Sequence, residues 1–215
     1  ANGGTAVAAM TGEAGAPTNV TAWPTTTRDG YALDGWYSDA ACTQKASDGA
    51  FPATFVEGTT AFYAKWNANE AKIVFQSNGG SQVDAIEGHT GDSIANRLMP
   101  TTAKDGYTFA GWYDNAECAG VPVTSLPETM PAGIAEGEGQ PGVTTYYAKW
   151  TPGTVTITFD TQGGTSVTPM SGTVGEALAS TALPESTREG YTLSGWYTGT
   201  GDDAIKLDAL PGTFP

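Results

Sequence analysis

The chain is poor in the residues that mark the commoner functional classes. Only nine of its 215 residues are Lys or Arg, against 23 Asp or Glu, for a formal net charge of −14. That balance excludes the clustered cations that neutralise nucleic-acid phosphates. It also argues against docking on an anionic membrane surface, and no apolar run approaches the roughly 20 residues of a membrane-spanning helix. His89 is the only histidine and no G-x-S-x-G nucleophile elbow occurs, so a Ser–His–Asp site could arise in one place at most. Cys42 and Cys118 are the only cysteines, too few without further histidines for a structural zinc site. Ala1 is not an initiator Met and no leader is visible, as expected if processing removed one. What is plentiful is glycine, 29 residues, with 13 prolines, a composition of turns and short strands rather than long helices.

Self-similarity organises the rest. Trp36, Trp112 and Trp196 stand in "DGWY", "AGWY" and "SGWY", spaced 76 and 84 residues apart. Ungapped alignment on them superposes "ANGG" (1–4), "SNGG" (77–80) and "TQGG" (161–164). It also matches Val7, Val83 and Val167, then Met10, Ile86 and Met170, and Pro24, Pro100 and Pro184. "FYAKW" (62–66) recurs as "YYAKW" (146–150), 84 residues on. The predicted units are 1–68, 69–151 and 152–215.

In the middle unit "KIVFQS" (72–77) reads as a strand and "NGG" as the turn that joins it to a second. In "SQVDAIEG", Val83 and Ala85 share a face, and Ile86 breaks the alternation at a bulge or at the end of pairing. "GDSIANRL" (91–98) reads as a short helix, with Asp92 or Ser93 as its cap, Ile94 and Leu98 on one face, and Pro100 as its stop. "GYTFAGWYD" and "TTYYAKW" (144–150) read as strands. The predicted module is α+β, one helix on one mixed sheet. "KIVFQS" is expected to pair in parallel with "YYAKW" of its own unit, and not to fold back on "FYAKW" of the unit before. A core this small is filled economically by large rings, so the three tryptophans are expected to be buried packing rather than a ligand platform.

An apolar strand ending in "NGG", then "GYTFAGWY", then a closing "YYAKW", resembles the Listeria–Bacteroides repeat, also called the internalin B-repeat. The likeness covers nearly the whole chain. It departs from it at "ANGG", where no strand like "KIVFQS" precedes, and at "LPGTFP", where none like "YYAKW" follows. The resemblance implies tandem β-grasp (ubiquitin-like) modules, no catalytic residues, and a place in a multidomain bacterial surface protein, between adhesive or catalytic domains and a wall anchor.

The candidate chemical sites are few. Cys42 and Cys118 hold equivalent positions in successive units, which places them about one domain diameter (~30 Å) apart. A disulfide needs Cα atoms within about 7 Å, so both are expected to be free, buried thiols. His89 is expected in a surface loop. "YDNAE" (113–117) and "TGDD" (200–203) offer oxygen ligands for weak Ca²⁺ binding but lack the EF-hand spacing, and solvated turns account for them. Lys65 and Lys149, in "AKW", suit either an outward lysine on an edge strand or an amide cross-link to Asp or Asn. The enlarged loop 127–142 would present Met130 and Ile134 to a partner, a host protein or glycan, only weakly, because ordering so Gly-rich and acidic a segment is costly. No cofactor or metal is expected, and no catalysis. The function expected is that of a spacer on the bacterial cell surface, with an adhesion module as the alternative.

Overall fold

The alternating apolar and aromatic residues of each unit pair into strands in the computed structural model of the chain, which describes residues 1–135, 141–199 and 201–215. In the first unit β1 (Tyr31–Tyr37) pairs antiparallel with β2 (Tyr63–Ala68). The middle unit has β3 (Glu70–Gln76), β4 (Ile86–His89), β5 (Tyr107–Tyr113), β6 (Ile134–Ala135) and β7 (Gly142–Pro152). These make one sheet of order β4-β3-β7-β5, with β6 also on β7. In the third unit β8 (Thr154–Ile157) pairs with β9 (Met170–Thr173), and β10 (Tyr197–Thr198) with β11 (Ile205–Lys206).

The central pair, β3 with β7, is parallel, with Phe75 opposite Tyr146. This is the pairing the sequence predicts within one unit. β2 instead pairs back on β1. β3 and β4 meet antiparallel from Glu70↔His89 to Ile73↔Ile86. Ile86, where alternation breaks, is thus the first paired residue of β4. Ala71, Ile73 and Phe75 project from one face of β3 into a core shared with Ile86, Ile94, Trp112, Met130, Tyr146 and Ala148. Phe75 meets Trp112 edge-on at 5.1 Å and lies near Tyr146 at 5.9 Å, geometries aromatic rings prefer. Trp36, Trp112 and Trp196 are all buried. Each indole N–H donates to the carbonyl of the aligned proline, Pro24, Pro100 or Pro184, at 2.8, 2.7 and 2.8 Å.

The expected helix is absent, and with it the α+β β-grasp assignment: the described residues are essentially all-β, their only helical turn a 3-10 turn at Gly201–Asp203. The segment 91–98 lies extended against 128–130. Gly91 donates to the Met130 carbonyl, Met130 to Asp92, and Ile94 to Glu128, at 2.8–2.9 Å. Ile94 enters the core while Leu98 is 89% exposed, so the two do not share a face. Eight residues cannot hold a helix in water unaided, and here a distant strand satisfies their backbone instead. The same device recurs in the other units. Gly15 and Thr18 donate to Phe55 and Ala53, and Gly175 and Leu178 to Phe214 and Gly212. The partners read "FPATF", "LPETM" and "LPGTF", a repeated Pro-x-Thr element.

The turn after β3 is a lock as well as a turn. Asn78 donates its side-chain amide to the Ala148 carbonyl at 2.7 Å, and the Trp150 indole donates to Ser77 at 2.8 Å. A Cβ on Gly80 would lie 2.4 Å from the Trp150 ring, so only glycine fits. Asn2, Trp66 and Gly4 repeat the arrangement in the first unit. "NGG" and "AKW" therefore hold each other.

Successive units meet at seams built alike. At the first, Asn69 donates to the Gly30 carbonyl and accepts from Thr90, both at 2.9 Å; at the second, Gly153 donates to Gly106 at 2.8 Å and accepts from Val174 at 3.0 Å. Gly30 and Gly106 have φ of 75° and 76°. A Cβ on either would crowd Thr90 or Val174, at 2.6 and 3.0 Å, so the left-handed backbone and the close approach both require glycine. The Tyr31 hydroxyl adds a bond to the Thr90 carbonyl at 3.3 Å.

Candidate functional surfaces

The densest group of polar side chains lies on the first unit, where β1 carries a bulge between Leu33 and Gly35. The extra residue, Asp34, accepts a hydrogen bond from the Tyr37 hydroxyl and pairs with Lys45 at 3.4 Å and Lys65 at 4.0 Å. The Tyr37 bond, ahead of an opposing effect of burial and of the lysines, holds the Asp34 carboxyl below its usual range. The same bond, with burial second, pushes Tyr37 up to about 12. Lys65 sits 5.0 Å from the centre of the Tyr37 ring.

This geometry bears on the amide expected as an alternative at Lys65. Amide formation needs a neutral amine facing an uncharged carboxyl, whereas Asp34 is held as carboxylate beside two ammonium groups with water at hand. The arrangement is an ion-pair network. In the middle unit the bulge residue is Ala110, and Lys149 lies 4.9 Å from the Tyr113 ring while donating to the Cys118 carbonyl at 2.9 Å. Lys149 also belongs to β7, between β3 and β5, so the edge-strand expectation is corrected for that residue.

The remaining candidates are scattered. Cys42 and Cys118 are both free, but only Cys118 is buried. Its thiol rests 3.7 Å from the Ala148 carbonyl, whereas Cys42 is half-buried beside Ala40. Both have positive φ, 52° and 48°, so the matching positions are matched turns. His89 ends β4 rather than sitting in a loop, exposed, its Nδ1 3.5 Å from Asp92. Asp114 and Asn115 bond to each other, and Asn115 closes its own turn onto Ala119. Of the 200–203 stretch, Thr200 lies outside the described residues. Among the described residues no group of three or more His, Cys, Asp or Glu converges as a metal site would require.

Loop 127–142 is not what its composition suggests. Met130 is one of the largest fully buried side chains, which overturns its expected presentation to a partner. Ile134 pairs through its backbone with Val143 in β6, and 136–140 lie outside the described residues. What composition obscured is that Pro127–Pro131 is the middle unit's Pro-x-Thr element. The signal was there to be found, since "LPETM" aligns with "LPGTF" and "FPATF".

A second overlooked pattern precedes each Gly-Tyr. Arg28, Lys104 and Arg188 lie over Tyr31, Tyr107 and Tyr191 at 3.8, 4.4 and 4.0 Å from the ring centres. At the first seam this pair lines an open groove with Thr27, Trp66 and Asn69. The groove is wide and polar, with no buried ionisable group aimed into it. Apolar exposure is concentrated in the third unit, where Tyr191 is 66% and Tyr197 49% exposed. No helix among the described residues is long and apolar enough to cross a membrane.

The sequence model of the Listeria–Bacteroides repeat domain matches three times, at residues 1–65, 72–134 and 156–209. Two proteins of Evansella cellulosilytica, with provisional names describing a membrane protein and a Gly-rich membrane protein, are 31% and 32% identical over 79% and 91% of the chain. Internalin H of Listeria monocytogenes is 36% identical over 56% of it. The chain spans only 23%, 20% and 20% of these relatives' lengths. No solved structure matches significantly.

Proposed function

This chain belongs to the Listeria–Bacteroides repeat family, and on that footing we propose that it is a non-catalytic spacer on a bacterial cell surface, an array that sets the distance and orientation of other parts of its protein. The reading divides the chain at 1–68, 69–151 and 152–215. The observation that carries it is the seam. Two junctions, at Asn69 and Gly153, repeat the same pair of backbone hydrogen bonds around the same Gly-Tyr corner. A joint that recurs with each unit specifies one unit-to-unit step, which is what an array needs to project a domain to a defined reach. Chemical groups that a ligand site would need do not recur: the Asp34 network meets Ala110 and Ser194 in the other units, and His89 occurs once.

Support for the surface location comes from the relatives, one named an internalin and two named for membranes. The second reading, adhesion to a host protein or glycan, draws on the exposed Tyr191 and Tyr197. Replacing the array in its parent protein by an unrelated rod of equal length separates the two. Surface attachment should survive that exchange and fail with a much shorter rod. Attachment lost with the equal rod would make the repeats themselves the adhesive element.

A further inference from the structure

The third unit holds two strand segments with a place between them that no described residue fills. In the middle unit β7 lies between β3 and β5. The counterparts of β3 and β5 in the third unit are residues 154–160 and 191–197. β8 pairs only with β9, and 191–196 belong to no sheet. Exposure follows from this. Ala71, Ile73 and Phe75 of β3 are buried, whereas Val155, Ile157 and Phe159 are half-buried. Tyr113 is 6% exposed and its counterpart Tyr197 is 49% exposed.

The frame around the place is nonetheless set as in the complete unit. Phe159 meets Trp196 at 5.1 Å, the same separation as Phe75 and Trp112. Trp196 keeps its bond to Pro184, and Phe214 is buried where Met130 is in the middle unit. Gly164 corresponds to Gly80, yet a Cβ built on Gly80 strikes the Trp150 ring, while one on Gly164 meets only Ser186, Thr161 and Thr187. The indole slot is open. Gln162, the counterpart of Asn78, turns its amide to Asp160 instead of to a neighbouring strand.

We infer that the third unit is a receptor for one extended strand of the aromatic–aromatic–Ala–Lys–Trp type, supplied by another polypeptide segment and bound parallel to 154–160 and antiparallel to 191–197. Main-chain bonds to both neighbours would hold it, as in other strand additions, with alternate side chains conferring selectivity. The small Ala enters against the core, where Ala148 is fully buried. The Trp fills the slot over Gly164, and the Lys lies over the Tyr197 ring, as Lys149 lies over Tyr113. The first unit offers no such place, because β2 already pairs with β1 there. The inference is independent of the spacer reading.

The probe is a synthetic peptide of residues 142–152, GVTTYYAKWTP, added to the intact chain. One peptide should bind per chain, and amide exchange at both 155–159 and 191–197 should slow by about tenfold or more, with the first unit unaffected. Peptides carrying Trp150→Ala or Ala148→Glu should bind at least about tenfold more weakly, the latter by placing a charge in the core. Because a free peptide bears the full cost of association, the same strand is also fused behind Pro215 through a flexible linker, which raises its effective concentration. Protection of both segments in either format supports the inference. Protection of one segment alone, equal binding by a scrambled peptide, or no protection in the fused chain would overturn it.

Discussion

At the scale of single residues, the aligned tryptophans carry the stability of their units. Trp112 is 1% exposed, touches Phe75 and Phe109, and anchors Pro100 through its indole. Trp112→Ala should cost about 3–5 kcal/mol, as large core truncations do, read from the shift in urea midpoint; a loss below about 1 kcal/mol would show that the ring is not core. Tyr37 and Asp34 make a pH prediction of defined sign. The fold favours the neutral phenol, so its contribution is complete below the ordinary tyrosine pKa of about 10 and is lost as pH rises through about 12. Asp34 acts in the opposite range, stabilising above the ordinary carboxylate pKa and losing its contribution as pH falls through its lowered folded value. Site-resolved NMR of Tyr37 should give a midpoint near 12 that falls in Asp34→Ala. An unchanged midpoint would place the cause elsewhere than in their hydrogen bond.

At the scale of elements, segment 91–98 separates two accounts of the same sequence. In a helix Ile94 and Leu98 would share a buried face and cost alike on truncation. In the extended pairing only Ile94 is core. Ile94→Ala should therefore cost about 2–5 kcal/mol, and Leu98→Ala should stay within about 0.5 kcal/mol. Equal losses would restore the helix. The "NGG" corner gives a second test. Gly80→Ala places a methyl 2.4 Å from Trp150 and 3.0 Å from the Ala103 carbonyl. Overpacking of that kind costs about 1–3 kcal/mol, and because Trp150 is the side chain displaced, its fluorescence should shift with the urea midpoint. The strands themselves were legible from alternation. The helix was misread because two apolar residues four apart fit a helix and an extended loop equally well, and only the Pro-x-Thr partner decides between them.

At the scale of the whole molecule, the seams make the relative placement of units a matter of hydrogen bonding rather than of linker length. Asn69 and Gly153 each bridge a Gly-Tyr corner to the next unit, so inserting four Gly-Ser residues after Asn69 should abolish the joint while leaving the units folded. Small-angle scattering should then show a broader distribution of end-to-end distances, with an unchanged urea midpoint for each unit. A distribution identical to that of the parent chain would mean that the seam does not set the step.

The sequence by itself determined the unit and its contents: the repeat length, the buried tryptophans, the strands, and the parallel union of "KIVFQS" with "YYAKW". These follow from periodicity and register, which record which side of an element meets the core. Tertiary structure alone decided that 91–98 is extended, that Met130 is buried rather than offered to a partner, that Cys118 is buried where Cys42 is not, and that Gly30 and Gly106 are joints. Each depends on which distant backbone or side chain arrives at a position. A local pattern states that a donor or an apolar face must be satisfied, but not what satisfies it.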